Sequence, residues 1–274
     1  MFDDIRAEAR KLVRRPAIWT LLAVALTLSL IFTYIVPYAG YAGATDAGPT
    51  AGRGLASMLP DRLVGNSIGG LPVFLGALML ILGVLAVGSE YSWGTWKTLL
   101  TQDPSRLRVY AAKLVVALGA ALVGVLAVFA FGAAASALIA AGESVPLDWP
   151  SGGDVLVGVG AGWLIAAMWT VLGALLAIAL RGVALPVGLG LVWLLAVQNL
   201  LSLIAAPLLD WVAQLQKGLP GPNAGSLVAA LGGGTDTPGV AALVDGGQAA
   251  LVLAAYLVVF AVAGGVVLRR RDIL

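Results

Sequence analysis

From Leu114 to Ala141 the chain runs for 28 residues without an Asp, Glu, Lys or Arg, more than the ~17 to 25 apolar residues a helix needs to cross a bilayer. A run of that length fits a membrane span, because an α-helix satisfies every backbone N–H and C=O within itself and hydrocarbon offers no other partner. Comparable runs without these four residue types occupy 17–36, 69–87, 155–180, 183–206 and 248–268. Composition agrees: 60 % of the residues are hydrophobic, against roughly half in soluble domains. The pattern predicts an all-α integral membrane protein of six transmembrane helices, one domain over residues 1–274. The second run is short as read from Pro72 to Val87, so the helix is expected to start a turn earlier, in Ile68-Gly-Gly-Leu71.

The intervals between the runs set the orientation. Residues 2–15 place Phe2, Ile5, Ala9 and Leu12 on one helical face and Arg6, Arg10, Lys11, Arg14 and Arg15 around the rest, the pattern of an amphipathic helix lying on an anionic leaflet. A signal peptide is the competing reading, but the apolar run from Ala17 to Val36 exceeds the ~7 to 15 residues of such a segment. Outer loops are expected at 38–68, 142–154 and 207–247. The last of these holds a candidate amphipathic helix over 208–217 and an apolar segment over 225–231, both read as short re-entrant or interfacial helices. Arg181-Gly182 leaves room for a tight turn only, and Pro186 is expected to kink the fifth span near its start. Basic residues crowd one side, with Lys97, Arg106, Arg108, Lys113, Arg181 and Arg269 to Arg271 joining those of the N-terminal helix. Both termini and the 89–113 interval are therefore expected to be cytoplasmic.

That central interval is the long polar, mixed-charge stretch between two apolar runs. Trp93, Trp96 and Leu100 share one helical face, and Asp103-Pro104-Ser105 reads as a cap with proline at the first helical position, giving helix, turn, helix. Glu90, Gly94-Thr95, Leu99-Leu100, Pro104-Ser105-Arg106 and Lys113 resemble the pattern that follows the second membrane helix in ABC-2 type permeases, and Leu268-Arg-Arg-Arg-Asp-Ile-Leu274 is similar to the ending of that family. The resemblance implies a membrane subunit of an ATP-driven exporter in the plasma (inner) membrane, working with a second permease copy or homologue and a separate ABC ATPase subunit. In that reading Glu90, Trp93, Gly94, Thr95, Leu99, Pro104, Ser105, Arg106 and Lys113 form the ATPase-coupling interface. Glu90 is expected to pair with Arg106 or Lys113 and so hold the turn, or else with a basic residue of the partner.

The residues also restrict chemistry. Cysteine and histidine are absent, which removes disulfides, thiolate and imidazole ligands and histidine acid/base work. Glu143, Asp148, Asp154, Asp210, Asp236 and Asp245 are scattered without metal spacing, and no G-x-x-x-x-G-K-[ST] loop is present. The expectation is no catalytic site, no metal and no cofactor in this chain, with ATP and Mg on the partner, and no nucleic-acid ligand. No charge lies at mid-span, which argues against a proton-coupled carrier. Gln198, Asn199 and Ser202 of the fifth span are the candidate translocation path or, equally, bonds across the bundle; Trp163, Trp169 and Trp193 read as packing. Gly158 to Gly162 forms a GxxxG that carries little weight in so glycine-rich a sequence. A secondary carrier or channel, and a scaffold anchoring a soluble complex, remain the alternatives.

Overall fold

The protein is an all-α integral membrane protein. Its computed structural model describes residues 2–43, 54–92, 94, 105–205 and 208–270, and among these all regular structure is helical. Helix α1 (Phe2–Val13) leads into α2 (Pro16–Gly43), which carries a π-helical turn at Ile31–Ile35. A short helix α3 (Leu63–Ile68) precedes α4 (Phe74–Ser92), α5 (Arg106–Gly142) and α6 (Gly152–Leu180). Helix α7 (Ala184–Leu200) continues as a π turn at Leu201–Ala205. Then come α8 (Asp210–Leu215), α9 (Pro220–Ala230) and α10 (Gly246–Arg270). Five helices, α2, α4, α5, α6 and α10, are long and apolar enough to cross a membrane, while the fifth expected span forms the shorter α7.

Local chemistry sets several boundaries away from the sequence reading. Gly69, Gly70 and Pro72 separate α3 from α4, so the second long helix starts at Phe74 rather than a turn before Pro72, and extends instead to Ser92, bringing Glu90 into the helix. Pro186 falls in the first turn of α7, where a missing N–H leaves no helical bond unmade. The α6–α7 turn is closed by Arg181 in the left-handed region at φ 54°. Helix α5, at 37 residues, is about 55 Å long, well beyond the ~30 Å of bilayer hydrocarbon. Its overhang carries the polar residues of its first two turns.

The core lies between α4 and α6. A Cβ on Gly83 would overlap the Thr170 carbonyl oxygen, and one on Gly173 would overlap that of Leu80, so the two backbones touch as small residues allow in lipid. Trp169, fully buried, fills the same seam beside Gly76, whereas Trp163 is partly exposed and donates from Nε1 to the Leu118 carbonyl at 3.0 Å. Gly158 and Gly162 pack against Val64 and Phe129 and against Ile68 and Val125, so the GxxxG seats α3 and α5 on α6. At one end of this bundle, here called basal, lies α1. At the other, distal, end α9 is buried between α10, α6 and α3, and Ser226 anchors it by donating to Ala241 O at 2.9 Å and accepting from the Leu243 N–H at 3.1 Å.

Candidate functional site

At the basal end, α1 lies along α5 and presents Glu8 and Lys11 to the bundle, with Arg15 following in the link to α2. Of the face expected to be apolar, Leu12 is buried, Ile5 and Ala9 are partly buried and Phe2 is exposed, and Glu8 is buried beside Leu12. Charge pairing accompanies the burial of Glu8. Lys113 of α5, 1 % exposed, donates from Nζ to Glu8 Oε2 at 2.7 Å and to Glu90 Oε1 of α4 at 2.9 Å. Lys11 binds Glu8 at 2.9 Å and approaches Glu90 at 3.6 Å, and Arg15 comes within 3.9 Å of Glu90. Arg15 also donates to the Leu85 carbonyl at 2.9 Å and to Ser89 Oγ at 2.6 Å, and Ser89 itself donates to Leu85 O at 2.7 Å. On the rim Arg108 reaches Asp4 at 2.8 Å.

Three cations and two carboxylates thus tie the N-terminal helix to the two helices that flank residues 93–104. Burying charges on this scale is tolerable only with mutual neutralisation and filled hydrogen bonds. The cluster can carry force between α1, α4 and α5, since displacing one member unpairs the others. Glu90 pairs with Lys113, one of the two partners expected of it. Arg106 is the first residue of α5, preceded by Ser105 in an extended conformation without a side-chain cap bond. Gly94 sits in a turn at φ 66°, a conformation that favours glycine. Trp93, Thr95, Leu99 and Pro104 lie outside the described residues. Sequence reasoning missed Glu8, Lys11 and Arg15 as members of a site, yet Glu8 and Lys11 stand three apart on one face of α1, a charged pair inside a segment read for its apolar face.

The candidate path residues of α7 do not share one environment. Gln198 is 5 % exposed, and its Oε1 and Nε2 have no hydrogen-bond partner among the described residues. Its amide presses on α9, where a Cβ at Gly221 would collide with it. Asn199 is partly exposed and donates to the Leu195 carbonyl of its own helix at 2.8 Å, and Ser202 is partly exposed within the second π turn. Two further buried amides, which the reading of 208–217 as an amphipathic helix and 225–231 as an apolar segment did not single out, stand in the adjoining segment. Gln216 Oε1 and Asn223 Oδ1 are both without a partner among the described residues, while Asn223 Nδ2 donates to Lys217 O and Leu219 O, each at 2.7 Å.

A family model described as ABC-2 family transporter protein matches residues 5–197. No curated protein has a matching sequence. The matched segment contains the whole basal cluster and stops one residue before Gln198.

Proposed function

The chain belongs to the ABC-2 transporter family and is a permease of an ABC transporter, and we propose that it moves its substrate outward when a separate ATPase subunit docks on the cytoplasmic 89–113 element. The observation that carries this reading is the buried Glu8–Lys113–Glu90 bridge. Both helices leaving the 93–104 segment are locked to each other and to α1 by it, so a partner that displaces the segment displaces α4, α5 and α1 together. Coupling needs an element with two arrangements that the partner biases differently, and a charge cluster that unpairs as a unit supplies one.

In this reading ATP and Mg reside on the partner, and Trp93, Gly94, Thr95, Leu99, Pro104, Ser105 and Arg106 form the surface it grips, with Glu90 and Lys113 behind it. The protein sits in the plasma membrane with both termini cytoplasmic, as the basic residues of the basal end favour, in contact with lipid and paired with a second permease. Gln198, Asn199 and Ser202 contribute to the path. Purifying the tagged protein from its native membrane in mild detergent tests the proposal. The expected companion is a stoichiometric chain with a phosphate-binding loop, whose ATP turnover changes on recombination with the permease and responds less to Gly94→Leu, a variant that strains a positive-φ turn where an added Cβ meets nothing within 4 Å among the described residues. A permease that purifies alone, or an ATPase indifferent to both wild type and Gly94→Leu, sinks the coupling role.

A further inference from the structure

The distal amides are unusual for a folded protein. Buried polar atoms are nearly always partnered, because leaving one bare costs free energy. Yet among the described residues Gln198 has two bare polar atoms, and Gln216 and Asn223 of the adjoining segment one each, with the three residues 5 %, 7 % and 0 % exposed. The junction is compact. Gly221 abuts the Gln198 amide, Asn223 Nδ2 closes the 217–219 turn, the Leu219 N–H bonds Gln216 O at 3.0 Å, and Tyr256 of α10 donates to Gly218 O at 3.0 Å. The supporting helix is distorted on both sides of Gln198, by π-helical segments at Val192–Val197 and Leu201–Ala205, and π distortions concentrate at functional sites.

We propose that Gln198, Gln216 and Asn223 form a binding site for the neutral, hydrogen-bonding head of an amphiphilic substrate. The atoms define the head. Three bare oxygens require donors, and the bare Gln198 nitrogen requires an acceptor, so the ligand group both donates and accepts, as a hydroxyl does. An anion would face three acceptors, and an ammonium would leave the Gln198 N–H groups unfilled. The segment carries one charge of each sign, Asp210 at the start of α8 and Lys217, whose Nζ donates to Gln214 at 3.1 Å. The helix that carries Gln198 exposes Val192, Leu200 and Ile204 on its outer face, an apolar lipid-facing surface from which a molecule with an alkyl chain would approach the junction.

This inference deepens the proposed transport role and rests on it for the word substrate, but its test needs no ATPase. The intact permease in lipid nanodiscs is titrated with four amphiphiles sharing one chain length, octyl glucoside, octylammonium, octanoate and octyl phosphate, and its Tm is followed by tryptophan fluorescence. Octyl glucoside is expected to raise Tm in a saturable way and the three charged probes are not. Gln198→Leu should weaken the apparent affinity by about tenfold, the equivalent of one or two hydrogen bonds. Gln198→Asn, which keeps the amide but shortens its reach, should fall between wild type and Leu, and so covers the case in which the Leu variant does not fold. Equal shifts from all four heads, preference for a charged head, or a glucoside response unchanged in both variants would overturn the proposal and leave ordered water as the partner of the amides. A null result here leaves a co-purified ATPase standing, and failure to find that ATPase leaves a glucoside response standing.

Discussion

The two polar regions of this molecule solve the same burial problem in opposite ways. At the basal end, Glu8, Glu90 and Lys113 are taken out of water and, with the partly exposed Lys11 and Arg15 at their edge, each charge finds counter-charges within 4 Å. At the distal end, three amides without net charge are buried just as deeply and four of their polar atoms are bare among the described residues. Net charge therefore does not predict where the unresolved polarity lies. The charges, too costly to bury alone, are completed by the fold, and the amides, cheap enough to leave bare, are where a visiting molecule has something to offer.

Breaking the basal end should give the largest effect. Glu90→Ala leaves three cations to one carboxylate within the cluster, and removing one partner of a buried charge network costs about 3–5 kcal/mol. Thermal unfolding of the purified permease should show a large fall in Tm, with Lys113→Met close behind, and a change within experimental scatter for both would mean the cluster is open to water. The distal amides split the comparison further. Asn223→Leu removes two bonds to the carbonyls of the 217–219 turn and should destabilise by about 1–3 kcal/mol. Gln198→Leu removes no bond and exchanges a bare amide for an apolar group of similar size, so it should leave the unliganded protein as stable as wild type or up to about 1–3 kcal/mol more stable. Opposite signs at two amides, one on α7 and one on α9, would separate a structural amide from a waiting one; a loss at both would show that Gln198 has a structural partner.

The legible part of this fold was what hydrophobic length writes into a chain. The long apolar helices and the placement of Glu90 beside Lys113 at the foot of α4 and α5 follow from run length and from charges at run ends. What could not be read depends on a third body. Glu8 is buried against Lys113, 105 residues away, and a reading for apolar periodicity assigned the inner face of α1 to Phe2, Ile5, Ala9 and Leu12, of which Leu12 is buried and Phe2 exposed. Likewise α9 carries no amphipathic signal because it is buried on every side, beneath glycines whose role is closeness rather than pattern. The start of α4 was misplaced for a simpler reason, since an apolar stretch broken by Gly-Gly and Pro reads as one run in hydropathy and as two elements in backbone terms.

The smallest effect should come from the rim of the basal cluster. Asp4 and Arg108 lie at 2.8 Å but are partly exposed, and an ion pair in contact with water contributes little and is screened by salt. Asp4→Asn should therefore lower Tm slightly at low ionic strength and not measurably at high salt, whereas the Glu90→Ala deficit should persist across the same salt series, because the buried cluster is reached by little solvent. The ratio of the two salt responses measures how deeply the N-terminal helix is seated. A deep seat gives a screened rim and an unscreened centre. Parallel salt dependence of both variants would mean that α1 lifts from α5 often enough to wet Lys113, and that the force-carrying contact is intermittent in the permease by itself.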